Sequence, residues 1–229
     1  MTLMSDSESD FVRLRLAMVK EQLSDRGISD ERVLDAMREV PRHLFVPEEL
    51  RSQAYNDGPL PIGYEQTISQ PYMVGLMTEK LSLTGAETVL EVGTGSGYQA
   101  AVLSNLAARV ISIEQNSHLS ELARAILTDL GYMSNIALVV GDGSLGYRER
   151  APFDRIIVTA GSPRIPRSLV GQLKEGGILV LPLGERAHQV LLQIKKTTEG
   201  LKTVELADCT FVPLMGEEGW GGAGEVKDE

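Results

Sequence analysis

The sequence predicts an α/β domain built on a doubly wound, mostly parallel seven-stranded sheet with an N-terminal helical extension. Apolar, strand-like runs alternate with segments of helical periodicity between residues 88 and 183, and such alternation is typical of parallel sheets. A glycine-rich turn joins the first of these strands to the helix that follows it. The 229 residues suffice for one such domain with a substantial core.

The charge balance of the chain is acidic. Lys and Arg total 22 against 32 Asp and Glu, which gives a formal net charge of -10 and an isoelectric point near 4.9. Proteins that bind nucleic acid need a basic face for the phosphates. The balance therefore argues against a nucleic-acid partner.

Cysteine and histidine are scarce. Cys209 is the only cysteine, so no intramolecular disulfide is possible and a reducing compartment is expected. No cluster of these residues has metal-ligand spacing, so we expect no metal. The N-terminus lacks a basic segment followed by an apolar one, and no run approaches the roughly 18 apolar residues of a membrane span. These features predict a soluble, cytoplasmic protein with no membrane partner.

The N-terminal part is predicted to be helical after a short tail. Residues 1–10 are polar and acidic without an apolar period and are expected to form a disordered terminus. Residues 11–57 are expected to supply accessory helices. Apolar residues recur at helical spacing from Phe11 to Leu23, and Gly27 suits the C-terminal cap. A second helix is predicted from Asp30 to Glu39, with Ser29 as its N-cap.

Residues 58–81 are predicted to form a substrate-binding and active-site loop with the helix that follows it. Prolines and glycines exclude a regular helix as far as Tyr72, and a helical segment runs from Met73 to Leu81. Thr67 and Ser69 offer hydroxyls just before this helix. Ser69 could simply cap the helix, or it could contact a ligand, and the two roles are compatible because a helix N-terminus also attracts a carboxylate.

The glycine-rich turn lies in residues 88–99, between an apolar strand and a helix. Its glycines are Gly93, Gly95 and Gly97. Glycines permit positive φ angles and let a ligand approach the backbone amides. A dinucleotide site would have the spacing Gly-x-Gly-x-x-Gly, whereas here the third glycine comes one residue early and Tyr98 takes its place. This spacing, with Glu91 ahead of it, favours a nucleoside that carries an amino acid over a loop without a ligand or a diphosphate site.

Two further acids lie at the ends of later strands. Glu114 ends the strand predicted from Arg109, about 20 residues after the glycine turn, where a carboxylate can accept the ribose hydroxyls of a bound nucleoside. Asp142 follows the strand from Ile136 to Val140. Each acid alone could be a solvated loop residue or a helix cap. Together with Glu91 they indicate a ligand site, because open parallel sheets bind ligands at the carboxyl ends of their strands.

The rest of the chain completes the sheet domain, which we place at residues 86–215. Further strands are predicted at 153–160, 178–183, 190–196 and 206–212, with a short helix at 165–173. The pattern leaves the order of the last two strands open. Residues 216–229 form a glycine-rich acidic tail, which is expected to lie over the sheet or to fray, with Trp220 as its one bulky anchor.

The histidines are expected to be packed or capping residues, since no nucleophile or acid accompanies them: His43, His118 and His188.

Several segments resemble one enzyme family over nearly the whole chain, from about Leu16 to Trp220. They read Val40-Pro-Arg-His-Leu-Phe-Val-Pro47, Gln66-Thr-Ile-Ser-Gln-Pro71, Leu90-Glu-Val-Gly-Thr-Gly-Ser-Gly-Tyr98, Gly141-Asp-Gly-Ser-Leu-Gly146 and Leu173-Lys-Glu-Gly-Gly-Ile-Leu-Val180. The chain is similar to the protein-L-isoaspartate O-methyltransferases. The glycine motif alone would mark only a methyltransferase superfamily, and the segment from Gln66 to Pro71 is the family-specific element.

The resemblance implies a methyltransferase that uses S-adenosylmethionine and acts on the free α-carboxylate of L-isoaspartyl residues in damaged proteins and peptides. Ser69 matches the family's active-site residue, with Thr67 and Ile68 as substrate-binding neighbours. The glycine turn and Glu91 would lie near the methionine part of the cofactor, Glu114 on the ribose and Asp142 by the adenine amino group. The implied cofactor residues are Glu91, Gly93, Thr94, Gly95, Gly97, Glu114, Asp142 and Gly143.

Two other functions are compatible with parts of this pattern. A related methyltransferase with a small-molecule or RNA acceptor would keep the glycine turn and the acids but lack the segment from Gln66 to Pro71. A non-enzymatic reader of damaged peptides would not need the glycine turn.

One region departs from some family members, since Met215 and Gly219 stand where polar residues can touch the ligand, and no contact is predicted there. A monomer is expected.

Overall fold

The computed structural model describes residues 6–221, with side chains from Glu8 onward. The strands are β1 (Leu60–Gly63), β2 (Gln66–Ile68), β3 (Thr88–Val92), β4 (Arg109–Glu114), β5 (Ile136–Val140), β6 (Phe153–Val158), β7 (Leu173–Glu185), β8 (His188–Thr197) and β9 (Gly200–Cys209). The α-helices are α1 (Asp6–Met18), α2 (Glu31–Glu39), α3 (Pro71–Lys80), α4 (Tyr98–Ser104), α5 (Ser117–Asp129) and α6 (Arg167–Gln172). A π-helical turn (Val19–Leu23) extends α1, and short 3₁₀ turns lie at Ser24–Arg26, Arg42–Phe45, Glu48–Gln53, Tyr132–Ser134, Gly143–Leu145 and Arg148–Arg150.

Seven strands form one sheet in the order β5-β4-β3-β6-β7-β8-β9, and β1 and β2 form a separate antiparallel hairpin. The strands from β5 to β7 run parallel. Helices cover both faces of this part, so β3 is buried from Val89 to Val92 on either side. The predicted doubly wound, mostly parallel seven-stranded sheet is confirmed.

The structure places the last two strands, whose order the sequence left open. Two residues separate β7 from β8 and two separate β8 from β9. Connections of this length can join only antiparallel neighbours, and the three strands accordingly form a meander. The final strand runs from Gly200 to Cys209 instead of the predicted 206–212. Its first residues are exposed on both faces, and their sequence, Gly-Leu-Lys-Thr-Val-Glu, does not alternate regularly between apolar and polar residues, which is the pattern of a half-buried strand.

The N-terminal helices differ from the prediction at their starts. Helix α1 begins at Asp6, so residues 6–10, which were expected to be disordered, are helical, whereas residues 1–5 lie outside the described residues. Acidic residues are favourable in the first turn of a helix even without an apolar period. The predicted αL cap at Gly27 is confirmed by its φ of 96°.

The second helix begins with a different cap from the one that the sequence pattern favours. Ser29 matches the preferred residue type, but the cap is Asp30, whose side chain accepts a hydrogen bond from the Arg32 N–H at 3.0 Å. The N–H of Ser29 instead donates to Glu79 in α3 at 2.7 Å. The helical extension is thereby tied to the helix that follows the active-site loop.

Candidate active site

A cleft of about 830 Å³, including its open mouth, lies at the carboxyl ends of the parallel strands. Three parts of the chain meet there: the hairpin and first turns of α3, the ends of β3, β4 and β6 together with the turns that follow strands β3 to β6, and the segment after β9. The lining residues are Gln66, Thr67, Ile68, Ser69, Val74, Met77, Val92, Gly93, Thr94, Gly95, Ser96, Tyr98, Gln99, Ile113, Glu114, Gln115, Gly143, Thr159, Ala160, Val212, Pro213, Leu214 and Met215.

The glycine turn exposes its backbone to this cleft because side chains are excluded from it. Gly93 has a φ of 98°, and a Cβ there would collide with the hydroxyl of Thr159. Gly97 has a φ of 88° and begins α4 against Ala123 and Leu127, each 3.2 Å from where its Cβ would be. The turn therefore brings its main chain to the cleft wall just ahead of α4, where side chains at its glycines would clash. The N–H groups of Gly93, Gly95 and Gly97 are bonded within the protein, to the carbonyls of Ile113 and Thr94 and to the Glu114 carboxylate, and these bonds hold the turn in place.

Glu114 lies at the end of β4 and lines the cleft, as the strand-end argument predicts. It is 7% exposed. Its two oxygens accept hydrogen bonds at 3.0 Å from the N–H groups of Gly95 and Asn116. The carboxylate is thus held between the glycine turn and the start of α5, and it retains lone pairs for a ligand.

Glu91 is not among the lining residues, although the sequence predicts it beside the ligand. It is fully buried beneath the turn, and neither of its oxygens has a hydrogen-bond partner in the described part of the chain. The nearby Ser112 hydroxyl is shared with the Thr94 hydroxyl at 2.5 Å. Burial raises the pKa of Glu91 from 4.5 to about 8; the Ser112 hydroxyl opposes this rise and the charge of Glu114 adds to it. Glu91 is therefore mostly protonated at neutral pH.

Replacing Glu91 by glutamine is expected to stabilise the protein increasingly as the pH rises. The folded-state pKa is raised, so between about pH 4.5 and pH 8 the unfolded chain releases a proton that the folded chain retains. The wild type loses stability across this window, whereas Glu91→Gln has nothing to ionise. Urea denaturation at pH 5 and pH 8 should show a larger advantage of the variant at pH 8.

Glu87 provides a control of opposite sign. Burial alone would raise its pKa, but hydrogen bonds from Thr84 and from the main chain outweigh this effect and lower the pKa. Glu87→Gln should therefore destabilise the protein at neutral pH and cost less in acid. An advantage of Glu91→Gln that did not change with pH would contradict the buried, protonated state of Glu91.

Asp142 also lies outside the lining residues, while its neighbour Gly143 lines the cleft. One carboxylate oxygen of Asp142 accepts from the N–H and hydroxyl of Ser144, at 2.9 and 2.7 Å. The other accepts from the N–H of Glu217 at 2.8 Å. The carboxylate therefore caps its own turn and binds the C-terminal segment.

That segment, residues 212–221, crosses the carboxyl edge of the sheet, and we call it the C-terminal strap. Trp220 donates its indole N–H to the carbonyl of Gly161 at 3.0 Å, as suits the anchor that the sequence predicts. Met215 lines the cleft, although no contact was predicted for it, and Gly219 does not. Tail residues 222–229 lie outside the described residues.

Ser69 lines the cleft between β2 and α3 and is half-buried. It does not cap α3, which begins after Gln70 without a side-chain cap, so the capping interpretation is wrong. Within residues 6–221 its hydroxyl makes no hydrogen bond and is free to meet a ligand. Thr67 and Ile68 also line the cleft, the first exposed and the second 4% exposed.

Thr159 is a lining residue that the sequence analysis missed. Its hydroxyl donates toward the carbonyls of Gly93 and Val92, at 2.7 and 3.1 Å, and so supports the glycine turn from the neighbouring strand end. The signal was present, because Thr159 directly follows β6 and strand ends meet at this edge.

No histidine or cysteine is among the lining residues. His43 is buried elsewhere, stacked on Phe11 with ring centroids 4.0 Å apart and 2.8 Å from the Tyr55 hydroxyl, as expected for a packed histidine. Burial raises the pKa of Cys209 to about 11, so its thiol stays protonated.

Within residues 6–221, no three His, Cys, Asp or Glu side chains converge to hold a metal ion. None of the helices in this range is long and apolar enough to span a membrane.

Comparison with known proteins identifies the family. The family model described as protein-L-isoaspartate(D-aspartate) O-methyltransferase matches residues 15–219. The chain belongs to this family. A protein-L-isoaspartate O-methyltransferase of Syntrophobacter fumaroxidans is 55% identical over 213 residues, which cover 93% of this chain and 99% of that protein. One from Methanoculleus marisnigri is 52% identical over 210 residues, 92% of this chain and 95% of the other.

Solved structures of protein-L-isoaspartate O-methyltransferases have the same fold. One matches with a TM-score of 0.79 and 31% identity over 90% of this chain and 67% of its own. A putative member from Plasmodium falciparum, solved with S-adenosyl-L-homocysteine, matches with a TM-score of 0.76 and 27% identity over 88% of this chain and 98% of its own. The predicted family and methyltransferase fold are confirmed.

The cleft of this methyltransferase suits S-adenosylmethionine. The turn lets a ligand approach its main chain where side chains at the glycines are sterically excluded, and Glu114 offers a carboxylate at the adjacent strand end. Apolar walls from Val92, Ile113 and Leu214 suit the uncharged parts of a nucleoside.

Proposed function

We propose that this chain transfers a methyl group from S-adenosylmethionine to the free α-carboxylate of L-isoaspartyl residues in damaged proteins and peptides. The observation that carries the proposal is the position of the free Ser69 hydroxyl in the wall of the cleft that the glycine turn forms. Ser69 belongs to the family-specific segment from Gln66 to Pro71, so this wall supplies the acceptor side of the site. Family membership agrees with the same activity.

The acceptor needs no general base. A free α-carboxyl group has an ordinary pKa of about 3.5 and is ionised at neutral pH. The cofactor supplies a methyl group that its sulfonium already activates. What the protein must do is hold the carboxylate oxygen in line with that methyl group, an effect that can supply on the order of 7 to 11 kcal/mol. The absence of histidine and cysteine from the lining residues is compatible with this chemistry.

Each residue of the site has a role in this proposal. Ser69 donates a hydrogen bond that orients the acceptor carboxylate, with Thr67 and Ile68 as neighbours on the substrate side. Glu114 accepts the ribose hydroxyls, and Asp142 accepts the adenine amino group through the lone pair that the Glu217 N–H leaves free. The methionine part lies against the glycine turn, formed by Gly93, Thr94, Gly95 and Gly97 above the buried Glu91, and Gly143 borders the nucleoside.

Labelled methyl transfer tests the activity directly. The purified protein should methylate a peptide that contains one isoaspartyl residue and leave its aspartyl twin unlabelled, because only the isoaspartyl linkage presents a free α-carboxylate at that residue. Both peptides need amidated C-termini, so that no other α-carboxylate competes. Equal labelling of the twins, or labelling of RNA or a small acceptor in their place, would refute the proposed acceptor.

We also propose that the enzyme works as a cytoplasmic monomer without a nucleic-acid or membrane partner. The acidic net charge of -10 and the single cysteine support this part of the proposal. Light scattering coupled to size exclusion should give a mass near 24.9 kDa for the chain. A mass of twice that value would refute the monomer.

A further inference from the structure

Gln99 is a polar residue of the cleft to which the reaction described above assigns no role. It lies in the first turn of α4, directly after Tyr98, and is 8% exposed. It lines the cleft beside the glycine turn. The residues that follow it in α4 are buried and apolar as far as Leu103, so a glutamine at this position calls for a partner.

The hydrogen bonds of Gln99 reveal which way its amide points. The hydroxyl oxygen of Thr78 lies 2.7 Å from the carbonyl oxygen of Val74. A carbonyl can only accept, so the single proton of the Thr78 hydroxyl points toward Val74. The same hydroxyl lies 2.9 Å from the Gln99 amide and must therefore accept there. Gln99 consequently presents its NH₂ group to Thr78.

The amide oxygen of Gln99 is left without a protein partner. It accepts no hydrogen bond from any residue in the range 6–221, and it is not among the polar atoms there that are sealed from solvent without a partner. The wall of the cleft thus holds a hydrogen-bond acceptor of fixed orientation. An acceptor in this position selects a ligand group that donates, and a charged donor forms the stronger bond.

We infer that the Gln99 amide oxygen accepts a hydrogen bond from the α-ammonium group of the cofactor's methionine moiety. This inference rests on the proposed function, which places that moiety against the glycine turn from which α4 starts. An ammonium group can only donate, so it complements an oxygen held in this orientation. Gln99 is then a specificity-determining residue for the amino-acid part of the cofactor, and Thr78 is a positioning residue that holds the amide.

Binding of two ligands distinguishes this role from a general one. Calorimetry would compare S-adenosylhomocysteine with its deaminated analogue, in which hydrogen replaces the amino group. Gln99→Leu should weaken S-adenosylhomocysteine binding about 10- to 100-fold, as expected for a hydrogen bond to a charged group. It should leave the analogue unaffected, because the analogue has no ammonium to bind.

Two further variants complete the experiment. Thr78→Val preserves the shape of the side chain but removes the acceptor that holds the amide, so it should weaken S-adenosylhomocysteine binding by a smaller factor, again without affecting the analogue. Gln193→Leu is the matched control. Gln193, like Gln99, donates a hydrogen bond from its amide, in this case to the carbonyl of Lys80 at 2.6 Å, but it does not line the cleft. This control should bind both ligands like the wild type.

Equal losses for both ligands would overturn the inference, and so would unchanged S-adenosylhomocysteine affinity with a raised KM for the isoaspartyl peptide, which would place the amide oxygen on the acceptor. These outcomes differ from a failure of the proposed function. If the wild type itself bound no S-adenosylhomocysteine, the cofactor assignment would fall, whereas a wild type that binds and a Gln99→Leu variant that binds equally well would defeat only the role of Gln99.

Discussion

Replacing Ser69 by alanine is expected to lower kcat about 100-fold while the affinity for S-adenosylmethionine changes by less than about twofold. Misplacing a reacting group by about 1 Å can cost this much in rate. The hydroxyl makes no hydrogen bond within residues 6–221 and does not cap α3, so its loss removes no support from the fold. Steady-state kinetics with an isoaspartyl peptide would measure kcat, and calorimetry with S-adenosylmethionine in the absence of peptide would measure the affinity for the cofactor.

Thr67→Val is the matched control for this experiment. Thr67 lies two residues away, carries a hydroxyl and also lines the cleft, but it is exposed. Its replacement should reduce kcat far less than Ser69→Ala does. Parallel losses of turnover and cofactor affinity in Ser69→Ala would show instead that the residue supports the cleft, and the orienting role would have to be abandoned.

Replacing Glu114 by alanine should weaken binding of S-adenosylhomocysteine about 100-fold or more. Two ribose hydroxyls would each lose a hydrogen bond to a carboxylate, and each such bond contributes about 1.5 kcal/mol or more. The turn would also lose the acceptor for the Gly95 N–H, which lies 3.0 Å from the carboxylate. Calorimetry at fixed pH and salt would measure the change in Kd.

The control for the change in charge is Glu121→Ala. Glu121 is an exposed residue of α5, the helix that follows Glu114 in the chain. It removes one carboxylate without touching the cleft and should leave Kd unchanged. Glu114→Gln keeps one carbonyl oxygen that can accept from Gly95, so its affinity should lie between those of the wild type and Glu114→Ala. Wild-type affinity in Glu114→Ala, with thermal unfolding showing a folded protein, would remove this residue from the ribose site.

The backbone of the site follows from local sequence. Gly93, Gly95 and Gly97 all have positive φ angles, at 98°, 52° and 88°. Residues with side chains are disfavoured in that conformation, so the turn needs glycine at these positions. Parallel strands bring their carboxyl ends to one edge, so a residue at the end of a strand is a candidate for the cleft from its position in the sequence. Glu114 obeys this rule, and Thr159 obeys it too although it was overlooked.

Some side chains have partners that their position in the sequence does not reveal. Asp142, the proposed acceptor of the adenine amino group, also accepts from the N–H of Glu217, which lies 75 residues later. Glu91 stands at the expected place in sequence, yet packing seals it beneath the turn and raises its pKa to about 8. Sequence spacing reports neither the path of a later segment nor the depth at which a side chain is buried.

By itself, therefore, the sequence determined the family, the sheet, the glycine turn and the strand ends that surround it, because each depends on backbone conformation or on residues close together in the chain. The tertiary structure alone decided which side chains face the cleft and in which protonation state or orientation. The free amide oxygen of Gln99 is the clearest case, since its direction depends on a hydroxyl 21 residues away, and only packing of α3 against α4 brings the two together.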